Sequence, residues 1–360
     1  MVYFHYLLYS IVIIYASSYL FGKWKKGVFF AVSGMVLTLF LGFRDIYTGG
    51  IDLMRYYGTY ELLANADSID AAFEMREGEN SLFFLSMFIS AKLGWPFHFF
   101  LFLIAALSVS ASFLLYYRYS NYPLLCIALF LPTCYIHLFS QLKQTIAVGI
   151  AIYSYMFFRK NKIVATYVLM AIACLFHPTA IVMIPFFILS KYRVKAMLLA
   201  TLFLCSLYVY LFRMEIGYLL TIAFYDQHLD KWESRESITG MAFLFIMFTI
   251  SYLIMMPKSR QVSKEKYLTI SSYFYSLIIA MTIFFCSSYS YAFTRLNNYF
   301  MVFVPLALSE ITEFDFWKRH AELKYPLYMM FGMIIYVMIN WFLNMVVSQY
   351  LDSYKFFWMS

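Results

Sequence analysis

Long apolar runs separated by short polar gaps occupy most of this chain. The runs at 2–21, 27–43, 97–117, 122–139, 143–158, 163–176, 179–190, 195–213, 238–256, 267–287, 296–309 and 326–347 predict about 12 transmembrane helices, since a crossing helix needs roughly 20 predominantly apolar residues. Two places break the pattern. Ser81–Leu93 makes only about 20 Å of helix against a hydrocarbon core of about 30 Å. It reads as a half-span, ended by Gly94-Trp95-Pro96, and irregular backbone at that depth is tolerated only where it lines a protein cavity. The hairpin Ile163–Ser190 totals about 42 Å of helix where two crossings need about 60 Å. Its apex, Phe176-His177-Pro178-Thr179, is therefore expected below the surface, within the protein. His177 is then either a packed side chain bonded to a carbonyl freed by Pro178 or a functional residue lining a cavity. There is no tandem repeat and no low-complexity linker, so residues 1–360 read as a single all-α polytopic membrane domain.

The polar gaps are of two kinds. Lys23–Lys26, Arg159–Lys162, Lys191–Lys195 and Lys258–Lys266 are basic, which assigns them to the cytoplasm. The long gaps Arg44–Glu79 and Glu215–Glu236 are acidic overall, giving outer loops at 44–79 and 214–237. Counting Ser81–Leu93 as a full crossing would put the Arg159 gap on the wrong side. In this arrangement several ionisable residues mark the outer ends of spans, where they are costly and so suggest a site open to the exterior.

Composition supports the class: 63% of residues are hydrophobic and 13% charged, where a soluble domain carries about 25% charged. The net charge of +8 sits mainly in the short basic turns beside anionic lipid and is no sign of nucleic-acid binding. The five cysteines lie inside apolar stretches with no CxxC pair and read as small core residues rather than as disulfides or metal ligands. The first run lacks preceding basic residues and a small-x-small cleavage site, so it is expected to be retained rather than removed as a signal peptide. The 34 Tyr and 40 Phe suit interfacial belts and helix packing, while some near the outer face could stack on sugar rings. No HExxH, P-loop, GxGxxG or GxSxG is present, and no DxD-type acidic pair that would hold a metal-bound sugar nucleotide. No metal and no cofactor are expected.

The first outer loop holds Arg44-Asp45, then Gly49-Gly50-Ile51-Asp52, then Arg55-Tyr56-Tyr57, and later Glu77-Gly78-Glu79. The glycine pair breaks the helix and lets backbone approach a ligand. Asp52 follows at once, with Arg55 on the same face if a helix restarts, which sets Asp52 above Asp67 or Asp70. Lys143 and Gln144 open a span at its outward end; a lysine at a helix end is most often a snorkelling anchor, but anchors are less expected at the outward end, and a cation there can also hold a phosphate as a point charge. Arg295 stands at another such start, in Thr294-Arg295-Leu296-Asn297-Asn298-Tyr299.

These residues resemble a family. Arg44-Asp45, Gly50-Ile51-Asp52 and Tyr56-Tyr57 resemble the first outer-loop motif of the EpsG/Wzy group of bacterial polysaccharide polymerases. Glu77-Gly78-Glu79, Lys143-Gln144-Thr145-Ile146-Ala147, Phe176-His177-Pro178-Thr179-Ala180 and Arg295-Leu296-Asn297-Asn298-Tyr299-Phe300 resemble four further motifs of that group, in its order. Two positions depart from it: Lys143 stands for the usual Arg, losing bidentate phosphate geometry, and Ile51 stands for a Thr.

The resemblance implies a GT-C-like fold in the bacterial plasma membrane with its active site facing outward. It also implies that the chain joins oligosaccharide repeat units carried on undecaprenyl pyrophosphate, with membrane lipid and a chain-length-regulating co-polymerase as further partners. Such chemistry needs stabilisation of the leaving diphosphate and deprotonation of the acceptor hydroxyl. The first falls to Lys143 and Arg295 with Arg44 as a third candidate, and Arg55, Gln144, Tyr299 and Glu79 complete the substrate site. The second falls to Asp52 or His177. The alternatives are a lipid-linked oligosaccharide flippase, which would show internal repeats and midplane charges, and a membrane O-acyltransferase acting on the same glycans.

Overall fold

The structure, a computed structural model, describes residues 25–47, 50, 52–68, 70–71, 81–120, 123–130, 138–139, 141–225, 264–286 and 292–311. The expected spans at 2–21, 238–256 and 326–347, and Glu79 with its motif, lie outside them. All regular elements among the described residues are helical, with no strand. In chain order they are α1 (Lys25–Gly42), α2 (Leu53–Asn65), α3 (Ser81–Lys92), α4 (Phe97–Tyr119), α5 (Pro123–Phe130), α6 (Leu142–Arg159), α7 (Ile163–Phe176), α8 (Met183–Leu189), α9 (Ala196–Leu211), α10 (Arg213–Tyr225), α11 (Lys264–Phe285), α12 (Ala292–Leu296), α13 (Asn298–Met301) and α14 (Val304–Ile311). A 3₁₀ turn, Pro178–Val182, stands between α7 and α8.

The surface of these helices is inverted relative to a water-soluble protein. Val164 is 78% exposed and Met197 84%, and Leu175, Leu204 and Leu219 are exposed too, whereas Ser108, Ser154, Thr166 and Ser276 are buried. Large apolar side chains gathered outward and hydroxyls turned inward suit a lipid environment. These four hydroxyls donate to backbone, as Thr166 Oγ1 to Lys162 O (2.9 Å) and Ser276 Oγ to Tyr273 O (2.6 Å) show.

Among the described residues, α4 is by itself long and apolar enough to cross a membrane, and the bent pair α9–α10 makes a second candidate if counted as one span. The remaining apolar helices are shorter, so the expected number of about 12 crossings is not reached by helix length among these residues. Two expectations need correction. Residues 296–309, read as one span, are divided among α12, α13 and α14. Pro305 has no N–H to bond the carbonyl a turn before it, so the ladder stops at Val302-Phe303 and restarts with the proline in the first turn of α14. The second acidic gap opens as a helix, because α9 turns by 86° into α10 instead of ending in loop. Arg213 satisfies the corner by donating to Tyr210 O (3.0 Å) while its guanidinium lies 5.0 Å from the Tyr210 ring centroid. The half-span expectation matches α3 in length, 12 residues.

The described residues up to Ile181 form one compact unit and those from Val182 another. In the first, α4 is the hub: α1 and α6 pack on it, α7 packs antiparallel on α6, and α3 packs on both α2 and α7. In the second, α11 is the hub for α8, α9 and α12–α14, with Phe186 of α8 packed on Phe300 and Phe303.

Two glycines allow the close approach of helices in the first unit. A Cβ on Gly42 would stand 2.7 Å from Phe102 Cα, and one on Gly149 3.2 Å from Ser108 Cα. The contacts tie to α4 the end of α1, two residues before Arg44, and α6, which carries Lys143 and Gln144.

Candidate functional site

Helix α1 ends at Gly42, and the chain turns through Phe43 into Arg44. Arg44 is only 1% exposed. Its Nη1 donates to Leu41 O, a carbonyl left over in the last turn of α1, and its Nη2 donates to Phe139 O at 2.8 Å, 95 residues away. The guanidinium also faces the Phe139 ring, 5.7 Å from its centroid. Asp45 is buried beside it, and the ring of His98, at the start of α4, hydrogen-bonds to the Arg44 backbone within the field of both charges. One polar cluster thus joins the end of α1, the start of α4 and the approach to α6.

Helix α6 begins one residue after Gln141 and carries Lys143, half-buried, and Gln144, buried, in its first turn. The helix is held to α4 by Ser108 Oγ, which donates to Thr145 O at 2.7 Å. The register of α6 against α7 is set by Ser154 Oγ donating to Thr166 O at 2.8 Å. Counting eleven residues along each antiparallel helix from that pair, about 16 Å, reaches Lys143 on one and His177 on the other. These two residues, 34 positions apart in the chain, come level at the same end of the hairpin.

His177 caps α7 in extended backbone (φ −154°, ψ 113°), its N–H still bonded to Ala173 O. Its Nδ1 is hydrogen-bonded to Thr179 Oγ1. This bond to a hydroxyl two residues on orients the half-buried imidazole.

Asp52 is the N-cap residue of α2, yet its side chain makes no capping hydrogen bond, and it is half-buried. The carboxylate is therefore not taken up by the helix it begins. Arg55, one turn on, is exposed. The apolar stripe Leu53, Tyr56, Tyr60 and Leu63 seats α2 on α3 and on the start of α4, with Tyr56 against Phe83 (5.3 Å between centroids) and Tyr60 against Phe97 (5.2 Å). Tyr60 donates to Trp95 O at 2.8 Å. Burial, with the Glu61 carboxylate next in the chain, pushes the Tyr60 hydroxyl up to about 12, so it stays a donor throughout the physiological range. The same two causes, burial first, raise Tyr57. Helix α3, on which α2 rests, also packs on α7, which ends at His177. Arg295, half-buried on α12, and Tyr299, buried on α13, belong to the second unit.

A model of the EpsG family matches residues 27–357. The chain belongs to the EpsG family. No curated protein and no solved structure matches it. The family makes it a membrane protein of polysaccharide biosynthesis with a polymerase or glycosyltransferase-like role. Within this EpsG chain, the first unit brings Arg44 to the approach of Lys143 and Gln144 and brings His177 level with Lys143. Three participants in that arrangement were not nominated from sequence: His98, Phe139 and Ser108. His98 carried a signal, being one of six histidines and standing just inside a helix start after Pro96. Phe139 carried none, since it is one of 40 Phe and acts through its carbonyl and ring. Of the cysteines described, Cys126 and Cys286 are buried as expected of core residues, whereas Cys205 is exposed on α9.

Proposed function

We propose that this EpsG-family protein polymerises oligosaccharide repeat units carried on undecaprenyl pyrophosphate, at the outer face of the bacterial plasma membrane. The observation that carries the reading is that Lys143 and His177 lie level at one end of the α6–α7 hairpin, beside a helix start tied down by a buried arginine. A cation and a titratable imidazole at the same level are the two functions that glycosyl transfer from a lipid diphosphate requires. A GT-C-like arrangement and a chain-length-regulating partner belong to the same proposal.

In the proposed reaction, a hydroxyl of the acceptor unit attacks the anomeric carbon of the growing chain. The new C–O bond forms as the bond from that carbon to the diphosphate oxygen breaks, and the lipid diphosphate leaves with the electron pair. Lys143 neutralises the charge that develops on the leaving group, as a point charge in place of a bidentate fork. Arg295, with Tyr299, is assigned to the same substrate by its motif. The acceptor proton passes to Asp52 or His177. Asp52 suits the role because its carboxylate is not engaged in capping α2, and His177 because Thr179 orients its ring. Gln144 and Arg55 are proposed to contact the glycan.

The test is reconstitution of the purified protein with a lipid-pyrophosphate-linked repeat unit. A ladder of lengthening glycan with release of polyprenyl pyrophosphate is expected. Transbilayer movement of the unit without elongation would replace the polymerase with a flippase, and acyl transfer without elongation would replace it with an acyltransferase.

A further inference from the structure

We infer that Arg44 is a positioning residue, which holds the approach to α6 in place for Lys143, and that it does not itself bind the diphosphate. The inference rests on the proposed polymerase reading for the role of Lys143, but on geometry alone for the role of Arg44. An arginine that binds a diphosphate presents a guanidinium edge to it, two parallel N–H groups at a time. In Arg44 both terminal nitrogens are turned onto backbone carbonyls, Leu41 O and Phe139 O, and one guanidinium face is turned to the Phe139 ring. At 1% exposure the group is inside the protein, with the carboxylate of Asp45 and the ring of His98 around it. Gripping a substrate would require breaking contacts that hold a buried charge, a costly exchange.

The position of Phe139 explains what the contact achieves. It lies four residues before Lys143, on the segment that leads into α6. The body of α6 is already tied to α4 through Ser108–Thr145 and the Gly149 contact. Arg44 adds a tie ahead of the helix start, from the end of α1. Lys143 is thus bracketed, with Phe139 fixed four residues before it and Thr145 two residues after. Loss of Arg44 leaves α6 docked while its entrance becomes free to move, which is the signature of positioning rather than of folding.

The experiment uses the full chain in lipid nanodiscs, with Arg44→Lys, Phe139→Leu and the double variant. Polymerisation is measured as kcat and KM, and binding is measured with undecaprenyl pyrophosphate. Each single variant is expected to lower kcat by up to about 10²-fold, the scale of a 1 Å misplacement of a catalytic group. KM and undecaprenyl pyrophosphate affinity should stay within a few-fold of the parent; Phe139→Leu, which removes the ring contact but keeps the carbonyl, should lose less than Arg44→Lys, and the double variant no more than Arg44→Lys alone, because the ring acts only through the guanidinium. A weakened affinity for undecaprenyl pyrophosphate in Arg44→Lys, with Phe139→Leu unaffected, would overturn the inference in favour of direct phosphate binding. A second readout needs no activity. In a cysteine-free background, a spin label on Lys143→Cys should be more mobile with either tie variant than without it. Unchanged mobility in both would overturn the positioning role even if polymerisation itself were never observed, and so separates failure of this inference from failure of the proposed function.

Discussion

Replacing Gly42 with alanine perturbs a close contact between α1 and α4. The added methyl would lie 2.7 Å from Phe102 Cα and 2.8 Å from Phe102 Cβ, where ordinary van der Waals contact begins at 3.4 Å. The shortfall is about 0.7 Å, and the atom in the way is main chain within α4, which cannot rotate aside as a side chain can. The end of α1 must therefore retreat from α4, carrying Phe43 off its ring contact with Phe102 (5.8 Å) and moving Arg44, two residues on. Overpacking of this kind costs about 1–3 kcal/mol. Gly58 is the control: it is exposed on α2, and a methyl placed there would meet nothing within 4 Å, so Gly58→Ala should gain about 0.4–1 kcal/mol from reduced freedom of the unfolded chain. The assay is thermal unfolding of both purified variants in the same detergent, paired with the polymerisation ladder. Gly42→Ala should unfold several degrees below the parent and lose most activity, and Gly58→Ala should unfold at or above it with activity intact. Parental stability and a full ladder in Gly42→Ala would refute the argument that this contact sets the exit of α1.

Further outcomes are expected on the same footing. Asp52→Asn and His177→Ala should each leave single repeat units on the lipid carrier, with losses of about 10²–10⁴-fold, while Asp67→Asn, exposed beyond the end of α2, should be nearly silent; an essential Asp67 with a dispensable Asp52 would remove the carboxylate assignment. Lys143→Ala and Arg295→Ala should abolish polymer while still inserting, and Lys143→Arg should keep substantial activity, since it supplies the residue usual in the family; full activity of both alanine variants would make them anchors rather than ligands. In a cysteine-free background an impermeant thiol reagent applied to intact cells should label Asn65→Cys at the end of α2 and leave Lys160→Cys in the α6–α7 turn untouched; both positions are exposed, so the reverse result would invert the membrane orientation.

The family, the helical class and the candidate residues were readable from the sequence, because each depends on local information. Apolar run length predicts helices, and the ends of α1, α4, α6 and α7 fall within a few residues of the runs that foretold them. The short helix at Ser81–Lys92 was legible for the same reason, since length in residues converts directly to length in ångströms. The break of 296–309 was less legible, although Pro305 was there to be read, because an apolar run outweighs a single helix breaker in any count of composition. The turn of α9 into α10 was not read, because Arg213 and Glu215 mark the end of an apolar run although the apolar residues resume at Ile216, and composition does not record an 86° bend between two helices. What only the tertiary structure decided is which partners the candidates take. The sequence shows Arg44, Lys143 and His177 as polar residues at helix ends; it does not show that the guanidinium of Arg44 turns inward to Phe139 O or that the Ser154–Thr166 contact brings His177 level with Lys143. Those facts depend on helix register and on backbone carbonyls, which every residue carries and no side-chain pattern records.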